Sequence, residues 1–245
     1  MLTAILNDPN ASRSFGNLYS KTRQLENRMY SDIEVKELPD ISPDHPHAAE
    51  WFTRKKSFQK LAQKLRQLPS PVNILEIGCG NGWLSHRLSS IPAANVTGID
   101  VNTAELEQAK RLFENEHCRF IACDAHKLSM SLTFDVIIFA ASIQYFSTLT
   151  EILDACLAIT NPGGTIHIID SFFYRPEEVM AAKLRTIKYY HSLGMPAMAE
   201  HYFHHTYDEL KSYNPVFLPR DNFVSGIFNR SLFPWIMIKK AYKGS

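Results

Sequence analysis

Long apolar runs and an excess of one charge are both missing from this sequence. No stretch approaches the roughly 18 consecutive apolar residues that a membrane-spanning helix needs, and the N-terminal segment MLTAILNDPN lacks the basic start and apolar centre of an export signal. Lys and Arg number 26 against 25 Asp and Glu, so the chain has no positive surplus for neutralising a phosphate backbone. The composition therefore argues against a membrane and against a nucleic acid as partners.

Cysteine pairs are missing as well. Cys79, Cys118, Cys123 and Cys156 stand singly, without the CxxC spacing that structural zinc and redox sites use. Isolated thiols of this kind are typical of proteins kept in a reducing compartment. We expect a cytoplasmic protein, either a monomer or a homodimer.

The N-terminal part of the chain predicts a helical cap over residues 1–70. Its first 45 or so residues are polar and rich in turn-forming residues, and a helix is expected from Glu50 to Leu68. Phe58, Leu61 and Leu65 recur at three- and four-residue steps in that segment, which places them on one helix face. The remaining residues, 71–245, then form the main domain.

That domain repeats a strand, a turn and a helix. Apolar runs predict strands at 72–77, 95–100, 118–124, 134–141 and 165–170, with two further candidates near 215–219 and 234–239. Asn102–Glu105 and Thr148–Glu151 have the spacing of capping boxes that start helices. Near-continuous apolar strands separated by amphipathic helices predict an α/β fold with a doubly wound, mostly parallel, seven-stranded sheet that carries helices on both faces.

A helical insertion is expected after the fifth strand, at about residues 172–214. A helix over 176–193 is predicted, with Met180, Leu184 and Ile187 facing inward. Insertions outside the shared sheet are where substrate pockets vary. This segment and the N-terminal cap are therefore the candidate walls of a substrate pocket.

The sequence Glu76-Ile-Gly-Cys-Gly-Asn-Gly82 lies between the first strand and the first crossover helix. Alternating glycines let the backbone approach a ligand closely, and the helix that follows offers unpaired N–H groups. Asp100 ends the second strand, where a carboxylate accepts hydrogen bonds from ribose hydroxyls, and Asp124 ends the third. A tight turn without ligand, and plain helix capping by the two acids, are the alternatives that these residues leave open.

Five segments in succession resemble the motifs of the class I S-adenosylmethionine-dependent methyltransferases: ILEIGCGNGWLS, VTGID, FIACDAHKL, FDVIIFAASIQYF and NPGGTIHII. The resemblance implies S-adenosylmethionine as cofactor and methyl transfer as activity. It implies that Asp100 binds the ribose, that Val101 flanks the adenine, and that Asp124 with Ala125 holds the adenine edge. The residues that would shape or line the rest of the cofactor pocket are Glu76, Gly78, Cys79, Gly80, Gly82 and Ala140.

The same resemblance places Gln144 and Tyr145 near the transferred methyl group, although Tyr145 also suits a core position. Methyltransferases that act on the amino groups of nucleobases or of glutamine have a polar-Pro-Pro-aromatic motif after the fourth strand. At that position this chain has Ala140-Ala-Ser-Ile143. That departure favours a small-molecule acceptor, with methylation of oxygen, nitrogen or carbon left open. His191 and His201 are candidate proton acceptors, because imidazole changes charge near neutral pH.

Other interpretations remain for the same residues. His201 and His205 have the i,i+4 spacing of zinc helices, but no Glu follows His201 as in HExxH and no third ligand is evident, so no metal is expected. An NAD(P)-dependent oxidoreductase would use GxGxxG, whereas this chain has GxGxG followed by Trp83. A non-catalytic binding protein of the same fold is the third possibility.

Overall fold

The N-terminal cap consists of three helices in the computed structural model, which describes residues 9–128, 132–219 and 233–242. They are α1 (Pro9–Leu25), α2 (Asp32–Glu37) and α3 (Ala48–Leu65). Helix α3 ends at Leu65 and not at the predicted Leu68, but Leu61 and Leu65 are buried as expected and Phe58 packs partly buried against the core. This shared core joins the last cap helix directly to the sheet.

Seven strands form one sheet in the order β3-β2-β1-β4-β5-β7-β6. The strands are β1 (Val72–Ile77), β2 (Ala94–Asp100), β3 (Cys118–Ala122), β4 (Phe134–Ala140), β5 (Thr160–Ile169), β6 (Val216–Leu218) and β7 (Trp235–Lys239). Strands β1 to β5 are parallel, while β7 runs antiparallel to both β5 and β6. The predicted seven-stranded, mostly parallel sheet is confirmed.

Helices cover both faces of this sheet because successive strand residues point to opposite sides. In β1, Ile74 belongs to the core under the cap and Leu75 to the core on the other face. The helices are α4 (Trp83–Ser89), α5 (Thr103–Phe113), α6 (Leu149–Ile159) and α7 (Val179–Ser192). Helices α3, α4 and α5 contribute to the first core and α6 to the second. Because β1 to β5 are parallel, the turns that follow these strands all lie at the carboxyl edge of the sheet.

Local details differ from the sequence prediction at the helix starts and in β5. Asn102 caps α5 by accepting from the Ala104 N–H, and Thr148 makes no side-chain cap, so neither predicted capping box forms. Strand β5 begins at Thr160 and not at the predicted residue 165, because Phe134 pairs with Thr160 and the backbone of Lys240 bonds to Gly163 and Gly164.

The predicted inward face of α7 is wrong. Met180 and Leu184 are 67% and 59% exposed, and the buried residues of the helix are Ala182 and Tyr190. The spacing of the apolar residues predicted a face directed to the sheet, whereas the helix packs on the short 3₁₀ segment 196–201. Within the described ranges, no helix has the length and apolar character needed to cross a membrane.

Candidate cofactor and acceptor site

The carboxyl ends of β1 and β4 approach each other closely at the glycine-rich turn. Gly78 has φ +74°, and a Cβ built on it would lie 2.5 Å from the Cβ of Ser142, which follows β4. The Ser142 hydroxyl in turn donates to the Ile77 carbonyl at 2.6 Å. Glycine is required at 78 both by the left-handed backbone and by this contact.

Asp100 is fixed at the end of β2 by backbone donors. Its Oδ2 accepts from the Gly80 N–H at 2.7 Å and its Oδ1 accepts from the Asn102 N–H at 2.8 Å. A carboxylate offers about four acceptor positions, so these backbone donors do not use all of them. Burial raises the pKa of this carboxyl, and the backbone hydrogen bonds oppose that shift. The Asp100 carboxylate can therefore accept further hydrogen bonds from a ligand that carries hydroxyl groups.

A cavity of about 470 Å³ opens over these strand ends. Its wall includes eight of the residues expected from the sequence: Gly78, Gly80, Asp100, Val101, Asp124, Ala125, Tyr145 and His201. They come from the segments that follow β1, β2, β3 and β4 and from the insertion after β5. The volume lies in the range of small-molecule pockets, and the arrangement suits an adenosine with a charged sulfur chain.

Four other predicted cofactor residues lie outside the cavity wall. Glu76 is buried beneath it and accepts a hydrogen bond from the Ser85 hydroxyl, and Cys79 is likewise buried. A Cβ on Gly82 would meet the Phe120 ring at 2.6 Å, so this glycine serves the packing of α4 on the sheet. Ala140 is the last residue of β4, and the two residues after it line the cavity instead.

Two of the four predicted catalytic residues are also absent from the wall. The Gln144 amide donates to the Ala141 carbonyl at 2.7 Å and accepts from the Ser171 hydroxyl at 3.0 Å, so the side chain braces the turn after β4. His191 lies on the exposed face of α7. Neither residue contacts the cavity, whereas Tyr145 and His201 do.

Helix α1 supplies part of the site that sequence reasoning missed. Phe15 and Tyr19 line the cavity, and a Cβ on Gly16 would lie 3.2 Å from the Val101 carbonyl oxygen. The Ser20 hydroxyl donates to the Asn102 side chain at 3.1 Å. The i,i+4 spacing of Phe15 and Tyr19 was a signal in the sequence, but nothing there showed what their helix would cover.

Aromatic rings enclose the part of the cavity beyond the glycine-rich turn. The Tyr19 and Tyr145 rings meet edge to face with centroids 5.4 Å apart, and Phe15 lies 5.9 Å from Tyr145 and 5.2 Å from His201. Phe203 completes the group. We call these five residues the aromatic end of the cavity.

Several cations near the cap are already paired. Arg54 and Lys55 on α3 form ion pairs with Glu50 and Asp40 at 2.8 Å and 2.6 Å. Arg23 on α1, which sequence reasoning did not single out, lies behind the wall with its guanidinium carbon 5.8 Å from the Tyr19 ring centroid. Its buried Nε has no hydrogen-bond partner among the described residues.

The histidine spacing does not build a metal site in the part of the chain that the structure describes. Residues 202–205 are not helical, and the His205 ring lies against the Ile143 carbonyl and Glu209. No group of three or more His, Cys, Asp or Glu side chains suited to a metal ion occurs among the described residues.

Comparison with known sequences finds similarity in the glycine-rich turn and in the strands around it. Residues 74–164 match the family model described as "Methyltransferase domain". The chain is 31% identical over 96 residues to a malonyl-[acyl-carrier protein] O-methyltransferase of Priestia megaterium, covering 39% of this chain and 35% of that protein. It is 31% identical over 99 residues to a ubiquinone biosynthesis O-methyltransferase of Colwellia psychrerythraea, covering 39% and 40%. The alignments span less than half of these relatives.

Among solved structures, the fold is similar to that of a magnesium protoporphyrin IX methyltransferase from Synechocystis PCC 6803 with bound S-adenosylhomocysteine. The TM-score is 0.60 at 14% identity, covering 96% of this chain and 100% of that one. This similarity shows that the chain shares the overall α/β fold of that methyltransferase. The match to the methyltransferase-domain model covers residues 74–164, which is less than half of the chain.

Proposed function

We propose that this protein is an S-adenosylmethionine-dependent methyltransferase that acts on a small-molecule acceptor. The observation that carries the proposal is the position of Asp100, whose carboxylate lines the cavity beside Gly78 and Gly80 while Asp124 lines the same cavity from the next strand. Two acids and two exposed glycine backbones on one wall suit the ribose, adenine and methionine parts of one cofactor.

Different residues of the chain would contact the methionine, ribose and adenine parts of this cofactor. Gly78 and Gly80 lie where the methionine part would pass, Asp100 would accept from the ribose hydroxyls, and Asp124 with Ala125 would border the adenine. Glu76, Cys79, Gly82 and Ala140 would act from behind the wall, by holding the turn and the strand ends in place. Val101 is fixed against α1 and would flank the adenine ring.

Methyl transfer from this cofactor needs no covalent bond between the protein and the substrate. When bound, the cofactor supplies an electrophilic methyl group on a positively charged sulfur. The protein's contribution is to align an acceptor with that methyl group and to exclude water. The aromatic end of the cavity serves both purposes, and Tyr145 and His201 are the two predicted catalytic residues that lie there.

A small acceptor is supported by the site and by the charge balance. The cavity is lined both by α1 and by the insertion, in keeping with a division into cap (1–70) and methyltransferase domain (71–245). The net charge of +1 offers no surplus of positive charge for binding nucleic acid.

Four free, buried cysteines support a reducing, cytoplasmic location. The relatives named above have different acceptors in their names, so the acceptor is not transferred from either.

A thermal-shift comparison tests the proposal against its alternatives. A ligand that binds only the native state raises the melting temperature, so S-adenosylmethionine and S-adenosylhomocysteine should each raise it while NAD does not. Stabilisation by NAD alone would favour the oxidoreductase. Tight S-adenosylmethionine binding, with no methyl transfer to any small acceptor, would favour the non-catalytic protein.

A further inference from the structure

The aromatic end and the adenosine end of the cavity are well separated along the sheet. Asp124 follows β3 and Tyr145 follows β4, and three strand steps lie between them in the order β3-β2-β1-β4. At the usual strand spacing these steps amount to about 14 Å. The aromatic end therefore lies beyond the part of the cavity that the cofactor's adenosine would fill, and is available to an acceptor.

Among the described residues that line the cavity, the charged side chains are carboxylates near the adenosine end. Asp100 and Asp124 follow β2 and β3, whereas neither a Lys nor an Arg lines the cavity within the described residues. Arg23 lies behind the Tyr19 ring and not in the wall, so a carboxylate or phosphate on the acceptor would meet no Lys or Arg side chain directly. Aromatic side chains instead pack favourably against the faces and edges of another flat ring, with centroids 4.5–7 Å apart.

Among the wall residues, His201 is the side chain suited to take a proton from an acceptor at this end. Burial raises the pKa of both Tyr19 and Tyr145, so their hydroxyls stay protonated and act as donors. The His201 ring lies at the same end, 5.2 Å from the Phe15 ring. An imidazole accepts protons near neutral pH.

We infer that the acceptor is a flat aromatic ring carrying a hydroxyl group, held between the rings of the aromatic end, with His201 as the residue that accepts the hydroxyl proton. This inference rests on the proposed methyltransferase function. In the transfer, the acceptor oxygen bonds to the methyl carbon, its proton passes to the imidazole, and the methyl–sulfur bond breaks with its electron pair left on sulfur. The products are an aryl methyl ether and the neutral thioether form of the cofactor.

Three acceptors of matched size test the class: 4-methylphenol, 4-methylaniline and 4-methylcyclohexanol. We expect the methyl ether of 4-methylphenol by mass spectrometry, formed faster than either other product. Faster transfer to the aniline or to the cyclohexanol, or no transfer to the phenol by protein that binds S-adenosylmethionine, overturns the inference and leaves the proposed function standing. Failure to bind either form of the cofactor instead counts against the proposed function itself.

Binding gives a readout that does not depend on turnover. Calorimetric titration of 4-methylphenol into protein saturated with S-adenosylhomocysteine should show binding that Phe15→Ala weakens about tenfold, through loss of a ring contact and its buried area. Equal binding by the variant and the original protein would place the phenol elsewhere. The affinity of Phe15→Ala for S-adenosylhomocysteine is measured alongside, so that a general disturbance of the cavity is recognised.

The role of His201 is tested with His201→Asn and, as the matched control, with His117→Asn. His117 is exposed and precedes β3, at the edge of the sheet opposite the cavity. His201→Asn should lower the rate on 4-methylphenol about 100-fold, as expected for loss of a general base. The loss should be smaller on 4-nitrophenol, which gives up its proton more readily. Equal losses on both phenols, or the same loss in His117→Asn, would overturn the proton-accepting role.

Discussion

The ring of Tyr19 on α1 meets the ring of Tyr145 after β4 edge to face, with centroids 5.4 Å apart and an interplanar angle of 83°. One residue belongs to the N-terminal cap and the other to the turn after β4, so the cap is a wall of the site and not only a cover for the core. Substitutions at this contact should therefore affect the reaction as well as stability.

Tyr145→Phe removes one hydroxyl and keeps the ring that packs on Phe15 and Tyr19. We expect turnover to fall about tenfold, equivalent to about 1.4 kcal/mol, because the hydroxyl is a protonated donor near the acceptor. The dissociation constant for S-adenosylmethionine should stay close to that of the original protein. The matched control is Tyr213→Phe, whose hydroxyl bonds to Thr150 and Asp154 away from the cavity. A larger effect on cofactor affinity than on turnover would contradict this role for Tyr145.

Asp100→Asn tests the ribose site. The variant keeps a side chain of the same size but loses the charge, and hydrogen bonds to charged groups contribute roughly 1.5–3 kcal/mol each. S-adenosylmethionine binding by calorimetry should weaken about 100-fold, with Asp44→Asn on the exposed surface as the control. Unchanged affinity in Asp100→Asn would remove this carboxylate from the cofactor site.

Gly78→Ala and Gly194→Ala form a matched pair for the glycine-rich turn. Both glycines have positive φ, +74° and +71°, but a Cβ on Gly78 meets Ser142 at 2.5 Å while a Cβ on Gly194 has nothing within 4 Å. Gly194→Ala should cost only the left-handed strain, about 1 kcal/mol in the free energy of unfolding. Gly78→Ala should cost about 1–3 kcal/mol more by urea denaturation and abolish measurable cofactor binding. Similar losses for the two variants would mean that the contact with Ser142 is unimportant.

Glu76 should make stability depend on pH. Burial, and secondarily the charge of Asp100, raise the pKa of its carboxyl from 4.5 to about 8, against the hydrogen bond from Ser85. The folded protein thus holds one more proton than the unfolded chain between these values, so the Glu76 contribution to stability declines as pH rises from about 4.5 to 8. Urea denaturation of Glu76→Gln should lack this decline.

The difference in free energy of unfolding between Glu76→Gln and the unsubstituted protein isolates the contribution of the Glu76 carboxyl. Burial lowers the pKa of His167 to about 3, so this histidine weakens the fold below pH 6.5, but it does so equally in both proteins and cancels in the difference. The difference in free energy of unfolding between the two proteins should change steadily from pH 5 to 8. A difference that is constant over this range would show that the Glu76 carboxyl titrates normally.

Much of the site was predictable from the sequence because it depends on short segments. Asp100 ends a strand of a parallel sheet, and Gly78, Gly80 and Asp124 lie in the turns just after two other strands. That topology brings strand ends to one edge whatever the side chains elsewhere. Their shared cavity was therefore expected. The residues behind the wall were harder to separate from those on it, since Gly82 and Glu76 lie in the same motif and only the register of α4 on the sheet decides which atoms face the ligand.

The sequence by itself determined the strand and helix order, the parallel core and the row of glycines and acids at its edge, because these follow from local periodicity and from the chain direction of each strand. Only the tertiary structure decided that α1 covers the cavity with Phe15 and Tyr19, that His201 and not His191 reaches it, and that Gln144 braces a turn. These outcomes depend on how the cap and the insertion pack against the sheet, and packing between segments that are distant in the chain leaves no periodic trace in the sequence.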